Sequence, residues 1–442
     1  MMRAMFASVS GLSTHQTKMD VIGNNIANVN TVGYRASRVT FQEIFNQTLK
    51  GASAPDPNVG RGGTNPMQVG LGIDISAIDT ITTTGGLQRT DNPTDLSIEG
   101  DGFFIVKGSS ADTYKFTRAG NFIIDELGNL TAPGGLCVYG WMNYGEKQDA
   151  GGNYVFDTNK PVEPINLYTD EHNGNKRVVS ARATENAILS GNIDASMPIY
   201  DPDEEQSGKL IVPIIVYDSL GNEYEISAEF RKASASNGVT TWNWEAIGSD
   251  ELGTTSNTGS IQFDAEGQII PPAGSDKVTS TITLTPDNDL GSKSFDVTLD
   301  FTKISMFTSV NSVKPVNVDG YPSGNLTSYS IGPDGMITGI YSNGKQQPLA
   351  LIGLASFDNP AGLQRVGNNM YIPSTNSGDF RNAVKAGVGS VGTLNPGTLE
   401  MSNVDLAQQF TDMIVTQRGF QANSRIMTTV DEMLQEMVNL KR

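Results

Sequence analysis

Two histidines, one cysteine and 48 acidic side chains are the residues of this chain with chemistry to offer. A hydrolase needs a positioned base, and a zinc site needs histidines or cysteines at short fixed spacing. His15 lies on a helical stretch. His172 lies in the polar loop Asp170-Glu171-His172-Asn173, and neither has a second histidine or a cysteine at metal spacing. No nucleophile-elbow motif occurs. Cys137 stands in the strand-like run Leu136-Cys137-Val138-Tyr139, which reads as a small half-buried side chain. A single cysteine forms no intramolecular disulfide framework. Asp201-Pro202-Asp203-Glu204-Glu205 lacks the spaced ligands and turn glycine of a calcium loop and reads as a solvated acidic loop. Gly100-Asp101-Gly102 precedes a strand, not a helix, so it is no phosphate cradle. These residues predict no catalytic, cofactor or metal site.

The elements around them are more informative. Met5, Leu12, Met19 and Ile26 recur every seventh residue near one end, and Leu406, Met413, Phe420, Met427 and Leu434 do so near the other. A seven-residue period keeps apolar side chains on one helix face, which another helix must cover. The pattern predicts helices over about 4–29 and from Ser402-x-x-Asp405, a capping-box-like start, to about 440. Gly11 and Gly23 each cost the first helix about 1 kcal/mol relative to Ala, leaving it marginal alone. The Asn-rich run 24–30 and Gly33 close it. Residues 51–72, rich in Gly and Pro, read as a connector without periodicity.

From about residue 73 the period changes to two, and the middle reads as a series of β-hairpins. Asp-x-x-Gly recurs at 125–128, 218–221 and 264–267, predicting type I turns with a left-handed glycine. Asp334-Gly335 and Asn343-Gly344 are two-residue hairpin signals. Breaks near 145–160 and 305–315 enclose a self-contained β segment, one domain or two, with Ile211, Ile215, Tyr224, Ile226, Phe230 and Trp242 as its expected core. The net charge of −18 argues against a nucleic-acid partner, which needs clustered Lys and Arg. No apolar run is long enough to insert in a membrane, and residues 4–9 make no convincing cleaved leader.

Four segments then resemble a family. Asn24-Asn25-Ile26-Ala27-Asn28-Val29-Asn30-Thr31-Val32-Gly33-Tyr34-Arg35 is similar to the N-terminal signature of bacterial flagellar axial proteins, the rod, hook and hook-associated proteins. Leu96 to Phe104, Phe116 to Phe122 and Gln417 to Arg425 resemble further segments of that family, in the right order. Rod members resemble the two ends joined directly. Here residues 147–306 are inserted, and Tyr321 to Leu326 and Tyr341 to Gly344 are similar to segments of the hook branch.

The resemblance implies a mainly β chain with helical termini, nested in layers. It places 1–34 with 400–442 in an inner helical domain, 35–72 with 384–399 in a connector, 73–146 with 307–383 in an inner β domain, and 147–306 in an outer β domain. It implies a non-enzymatic homopolymer, a curved flexible tube transmitting torque, outside the cell and exported without a cleaved leader through the flagellar type III apparatus. Its implied partners are the distal rod protein, the hook cap protein and the first hook-filament junction protein. A distal rod protein, an acidic extracellular carbohydrate-active enzyme and an adhesin are the alternatives.

Overall fold

The computed structural model describes residues 2–55, 62–108, 113–143, 156–170, 174–203, 207–236, 238–248, 252–255, 258–272, 275–286 and 291–440. His172, Glu204, Glu205, the expected break at 145–152 and part of the 51–72 connector lie outside the described residues. The chain is mainly β, with α1 (Met2–Ala27) and α2 (Leu406–Asn439) near its two ends. It divides into two compact units. One comprises 1–174, 330–338 and 348–442; the other comprises 175–329 and 339–347.

In the first unit, α1 runs into β1 (Ser37–Glu43), β2 (Asn46–Lys50), β3 (Met67–Gly70) and β4 (Ile73–Thr80). β1 pairs with β4 and β2 with β3, all antiparallel, so the expected connector is partly a β-ribbon. Its strands show no alternation in sequence because β2 and β3 bury neither face. The unit's main sheet pairs Gly140 with Ile352, Val138 with Val106, Phe104 with Thr117, and Phe116 with Tyr371. Phe103, Phe116, Phe357 and Tyr371 pack edge to face on one side of it, with ring centroids 4.8–5.9 Å apart.

The second unit carries a four-stranded antiparallel sheet, from Lys209–Tyr217 through Glu223–Ser236 and Val239–Gly248 to Thr258–Phe263. A second sheet of five strands includes one parallel pairing, Asn186–Asp194 with Phe295–Phe307. Both sheets contribute to one core around Trp242, Phe230 and Phe301. Tyr224, Ile226, Phe230 and Trp242 are buried as expected. Ile211 and Ile215 are not: they are 51% and 45% exposed, and Val212, Ile214 and Val216 point inward instead. Residues 210–216 are all apolar, so the sequence carries no alternation there to choose the face.

The Asp-x-x-Gly turn closes the same way three times. The glycine N–H donates to the Asp carbonyl at 3.0, 3.2 and 3.2 Å, with Gly128, Gly221 and Gly267 at φ 93°, 92° and 77°. The Asp carboxylate also accepts the backbone N–H four residues on, at 2.7–2.8 Å. That carboxylate bridge completes the loop. The hairpins at Asp334-Gly335 and Asn343-Gly344 differ from expectation. Gly335 N–H donates to Gly332 O and Gly344 N–H to Tyr341 O, so Pro333-Asp334 and Ser342-Asn343 are the turn centres. Each glycine, at φ 83° and 75°, is the left-handed bulge residue of a three-residue loop. Asp334 Oδ1 and Asn343 Oδ1 accept from Met336 N and Lys345 N, which holds them at the second central position.

Candidate functional site

α2 begins three residues later than its capping box suggested. Asp405 is the N-cap, its carboxylate accepting from Ala407 N at 2.8 Å and Gln408 N at 3.2 Å. An ionised cap with two donors outcompetes Ser402, whose hydroxyl accepts from Val404 N instead. The helix then runs 34 residues, about 51 Å.

α1 and α2 pack antiparallel. A Cβ on Gly11 would meet Asn423 Nδ2 at 2.7 Å, a Cβ on Gly419 would meet the His15 ring at 2.8 Å, and Asn25 Nδ2 donates to Gln409 Oε1 at 3.1 Å. Residues advance along α1 by the number they retreat along α2: four from Gly11 to His15 as from Asn423 to Gly419, then ten to Asn25 and to Gln409. Gly11 thus has a packing reason, whereas Gly23 has open space around it. The buried residues of the seam are mostly small or polar: Ser8, Gly11 and Thr14 on α1, Thr416 on α2, with Ile22 and Val430 as its buried apolar members. Ser8, Thr14 and Thr416 hydroxyls donate to carbonyls one turn back in their own helix, at 2.7–3.0 Å, so they are buried without needing a partner across the seam.

The stripes sit differently. Met5, Leu12, Met19 and Ile26 are half-buried, as are Met413, Met427 and Leu434, while Leu406 and Phe420 are exposed. Phe410, Ile414, Val415, Ile426, Met433 and Met437 are exposed too. The helix pair therefore leaves most of its apolar surface uncovered.

The signature residues form a collar where α1 ends and α2 begins. Asn25, 1% exposed, makes all four hydrogen bonds its amide allows. Nδ2 donates to Ser37 O and Gln409 Oε1, and Oδ1 accepts from Ser37 N and the Tyr34 hydroxyl, at 2.8–3.1 Å. Asn28 Nδ2 donates to Asn24 Oδ1 at 2.9 Å, and Thr31 donates to Asn28 Oδ1 at 3.1 Å, closing the helix end. Asn30 is exposed. Gly33, at φ 68°, lies so close to Ala119 that a Cβ would meet its backbone N at 2.7 Å; its own N–H donates to Glu400 O at 2.8 Å.

Sequence reasoning missed the centre of this collar. Glu400, 1% exposed, is held between two guanidinium groups: Arg35 Nη2 at 2.8 Å from Oε1 and Arg118 Nη1 at 3.2 Å from Oε2. Gly85 N–H also donates to Oε1 at 3.0 Å. Arg35 further donates to Thr83 O, and Arg118 donates to Ile98 O and Gly100 O. Burial pushes the Arg118 guanidinium down from its ordinary value, and Glu400 opposes that shift. Asn403 accepts from Ala36 N and donates to Ile81 O and Thr83 O, tying the approach to α2 into the same collar. Two arginines inside the quoted segments were the signal that a buried carboxylate was required.

Among the described residues, His15, Cys137 and the acidic side chains do not gather into a reaction centre. Burial, and then Lys18, pushes the His15 imidazole down; Nδ1 has no hydrogen-bond partner among the described residues, and the ring stacks edge-on to Phe41 at 5.7 Å. Burial, and then Asp125, pushes the Cys137 thiol up. No group of three or more His, Cys, Asp or Glu suited to a metal occurs among the described residues, and no helix there is long and apolar enough to cross a membrane. A hollow of about 540 Å³ in the second unit holds Asp264 and Glu266. Asp264 is already bound to Glu266 N and Gln268 N in its turn.

Terminal helices with uncovered apolar faces, joined by a rigid collar to β-rich units, define a class: subunits of a self-assembling axial structure. Known proteins agree. Family models match at residues 5–35 (Flagella basal body rod protein), 97–167 (Flagellar hook protein FlgE/F/G D1 domain), 186–321 (Flagellar basal body protein FlaE D2 domain) and 395–440 (Flagellar basal body rod FlgEFG protein C-terminal). The Flagellar hook protein FlgE of Borreliella burgdorferi is 39% identical, and that of Treponema pallidum 36%, each alignment covering 100% of both chains. A Bacillus subtilis protein named Flagellar basal-body rod protein FlgG is 30% identical, again over 100% of both. The chain belongs to the flagellar hook protein family. It is a structural subunit of the bacterial flagellar hook, the short curved tube through which torque passes from rod to filament, and it polymerises within the flagellum.

Proposed function

We propose that the helical stripes Met5, Leu12, Met19, Ile26, Leu406, Met413, Phe420, Met427 and Leu434 are the surfaces through which copies of this chain associate, and that the signature residues Asn24, Asn25, Asn28, Asn30, Thr31, Gly33 and Tyr34 set the angle at which the helices leave the β-rich body. The observation that carries this is the seam between α1 and α2. It is built from Ser8, Gly11, Thr14 and Thr416, while Phe410, Phe420 and their neighbours stay exposed. A solvated face of that kind is stable only when another copy covers it. In the tube, on this reading, residues 1–34 with 400–442 form the inner layer, residues 73–146 with 307–383 the next, and residues 147–306 the outermost.

The chain acts by assembly and not by catalysis, a reading that its place in the flagellar hook protein family supports. Its export takes the flagellar type III route. It meets the distal rod protein below, the hook cap protein during growth, and the first hook-filament junction protein above. Replacing Phe420 or Met427 with Asp tests the stripes. The variants fold, with the second unit's Trp242 and Trp244 fluorescence unchanged, and build no hooks in a strain carrying them alone. Normal hooks from either variant would sink the stripe assignment.

A further inference from the structure

We propose that, beside the stripes, neighbouring copies join through a heterologous contact, in which the outward face of α1 near its start (Met2, Phe6, Val9) seats on the flank of α2 near its end (Ile426, Met433, Met437, Leu440) of the next copy. This rests on the hook reading and goes further by naming which face meets which.

Four observations lead there. First, both patches are uncovered. Met2, Phe6 and Val9 are 62%, 60% and 43% exposed; Ile426, Met433, Met437 and Leu440 are 43%, 49%, 49% and 85%. Second, neither patch can be reached by the chain's own partner helix. Phe6 and Val9 each lie two residues before a seam position, Ser8 and Gly11, which is about 200° round the helix. Their spacing of four and then three keeps Met2, Phe6 and Val9 on one face. Ile426, Met433 and Leu440 recur every seventh residue and lie three after Asn423 and Val430, so they border the seam without entering it. A third helix laid there extends the existing seam instead of starting a new one.

Third, the patches lie at the same end of the helix pair. The antiparallel register sets Phe6 beside Thr428 and Val9 beside Arg425, and α2 continues beyond Met2 by residues 433–439, about 10 Å. A copy placed alongside and shifted by about 9 Å along the helix axis brings one patch onto the other. Fourth, Arg3 is the one formal charge of residues 2–17, and the acids Asp431, Glu432 and Glu436 lie among the α2 patch residues, between Arg425 and Lys441-Arg442. Because the two faces differ, each copy keeps one of each free after joining. Growth is therefore head-to-tail and open, the geometry of a helical tube and not of a closed dimer.

Cysteine pairing tests this in hooks isolated from cells whose only copy of the chain is the variant, on a Cys137→Ser background. With Phe6→Cys and Met433→Cys together, mild oxidation gives a ladder of covalent multimers. Either substitution alone gives none, and neither does Phe6→Cys with Ile414→Cys. Hooks that assemble without a ladder, or that ladder through position 414, overturn the contact while leaving the hook reading intact. A native chain that builds no hooks overturns both. Should the double-cysteine chain not assemble, Phe6→Lys and Met433→Glu decide the matter. Each alone lowers hook number about tenfold or more, since an unpaired charge in an apolar contact costs at least 1.4 kcal/mol, and the pair restores assembly. Failure of the pair to restore it refutes the contact.

Discussion

Glu400→Gln should loosen the whole first unit although it removes no side-chain volume. The glutamine keeps one carbonyl oxygen for Arg35 or Arg118 but turns an N–H₂ toward the other guanidinium. Of two buried cations, 4% and 2% exposed, one is then left with a neutral amide oxygen and the other with backbone carbonyls alone. Removing one partner from a buried ion pair costs about 3–5 kcal/mol, because the remaining charge stays desolvated. Here two charges lose one shared partner, so the upper half of that range applies. That is a large fraction of a domain's usual stability of about 5–15 kcal/mol, and it lowers the melting temperature by about 10 °C. Hydrogen exchange read by mass spectrometry is the suitable assay, since it resolves the units. Peptides spanning 31–36, 83–89 and 96–100 should lose protection, while those spanning 209–231 in the second unit keep theirs. A cost under about 1 kcal/mol, or equal loss in both units, would refute the claim that Arg35, Glu400 and Arg118 hold the collar together.

Two further outcomes follow from the geometry. Asp218 has its carboxyl held below the ordinary range: burial acts to raise it, but hydrogen bonds from Asn222, Ser292 and Leu220 prevail. A depressed carboxyl stabilises the fold above its unfolded value and loses that contribution as pH falls through the folded one. Glu229 and Asp319 shift the same way, so the second unit should weaken below about pH 4. Asp218→Asn should cost about 1–2 kcal/mol at pH 7 and flatten the acid limb of urea midpoints followed by tryptophan fluorescence; parallel limbs for the two proteins would show the sign to be wrong. At the helix seam, Gly419→Ala gains about 1 kcal/mol of helix propensity yet pushes against the His15 ring. Exchange in α1 should quicken in that variant and recover when His15→Ala is added. Slower exchange with His15 still present would contradict the close approach.

What could be seen in the sequence was whatever depends on neighbours along the chain. The Asp-x-x-Gly turns were legible because the carboxylate and the left-handed glycine act within five residues. The helices were legible from their period. The seam itself was not. Ser8, Gly11, Thr14 and Thr416 rank as outward-facing on any hydrophobicity pattern, yet they are the buried ones, because close approach of two backbones selects small side chains whose hydroxyls bond to their own helix. The inward face of 210–216 was hidden by uniform apolarity. The hairpin type was hidden because Asp-Gly and Asn-Gly suit both a two-residue turn and a bulged three-residue one. Glu400 was hidden because its partners are 365 and 282 residues away along the chain, a pairing no local pattern encodes.

The contrast between seam and collar bears on how a tube can be both built and bent. The collar is buried, charged and fully hydrogen-bonded at Asn25, which suits the proposed role of setting the direction in which the helices leave the body. The seam has few apolar contacts, and α1 carries two glycines, one of them with open space around it. A helix of 26 residues with that composition holds its shape mainly through what covers it. Much apolar surface on the pair stays exposed, at Phe6, Val9, Phe410, Ile414, Val415, Ile426 and Met433. On the proposed reading other copies cover it, which would couple order in the helices to polymerisation and leave order in the collar and the β cores independent of it. A subunit so divided presents a fixed orientation to the growing end and completes its inner layer only upon incorporation. That division keeps free chains from consolidating the wrong contacts in advance.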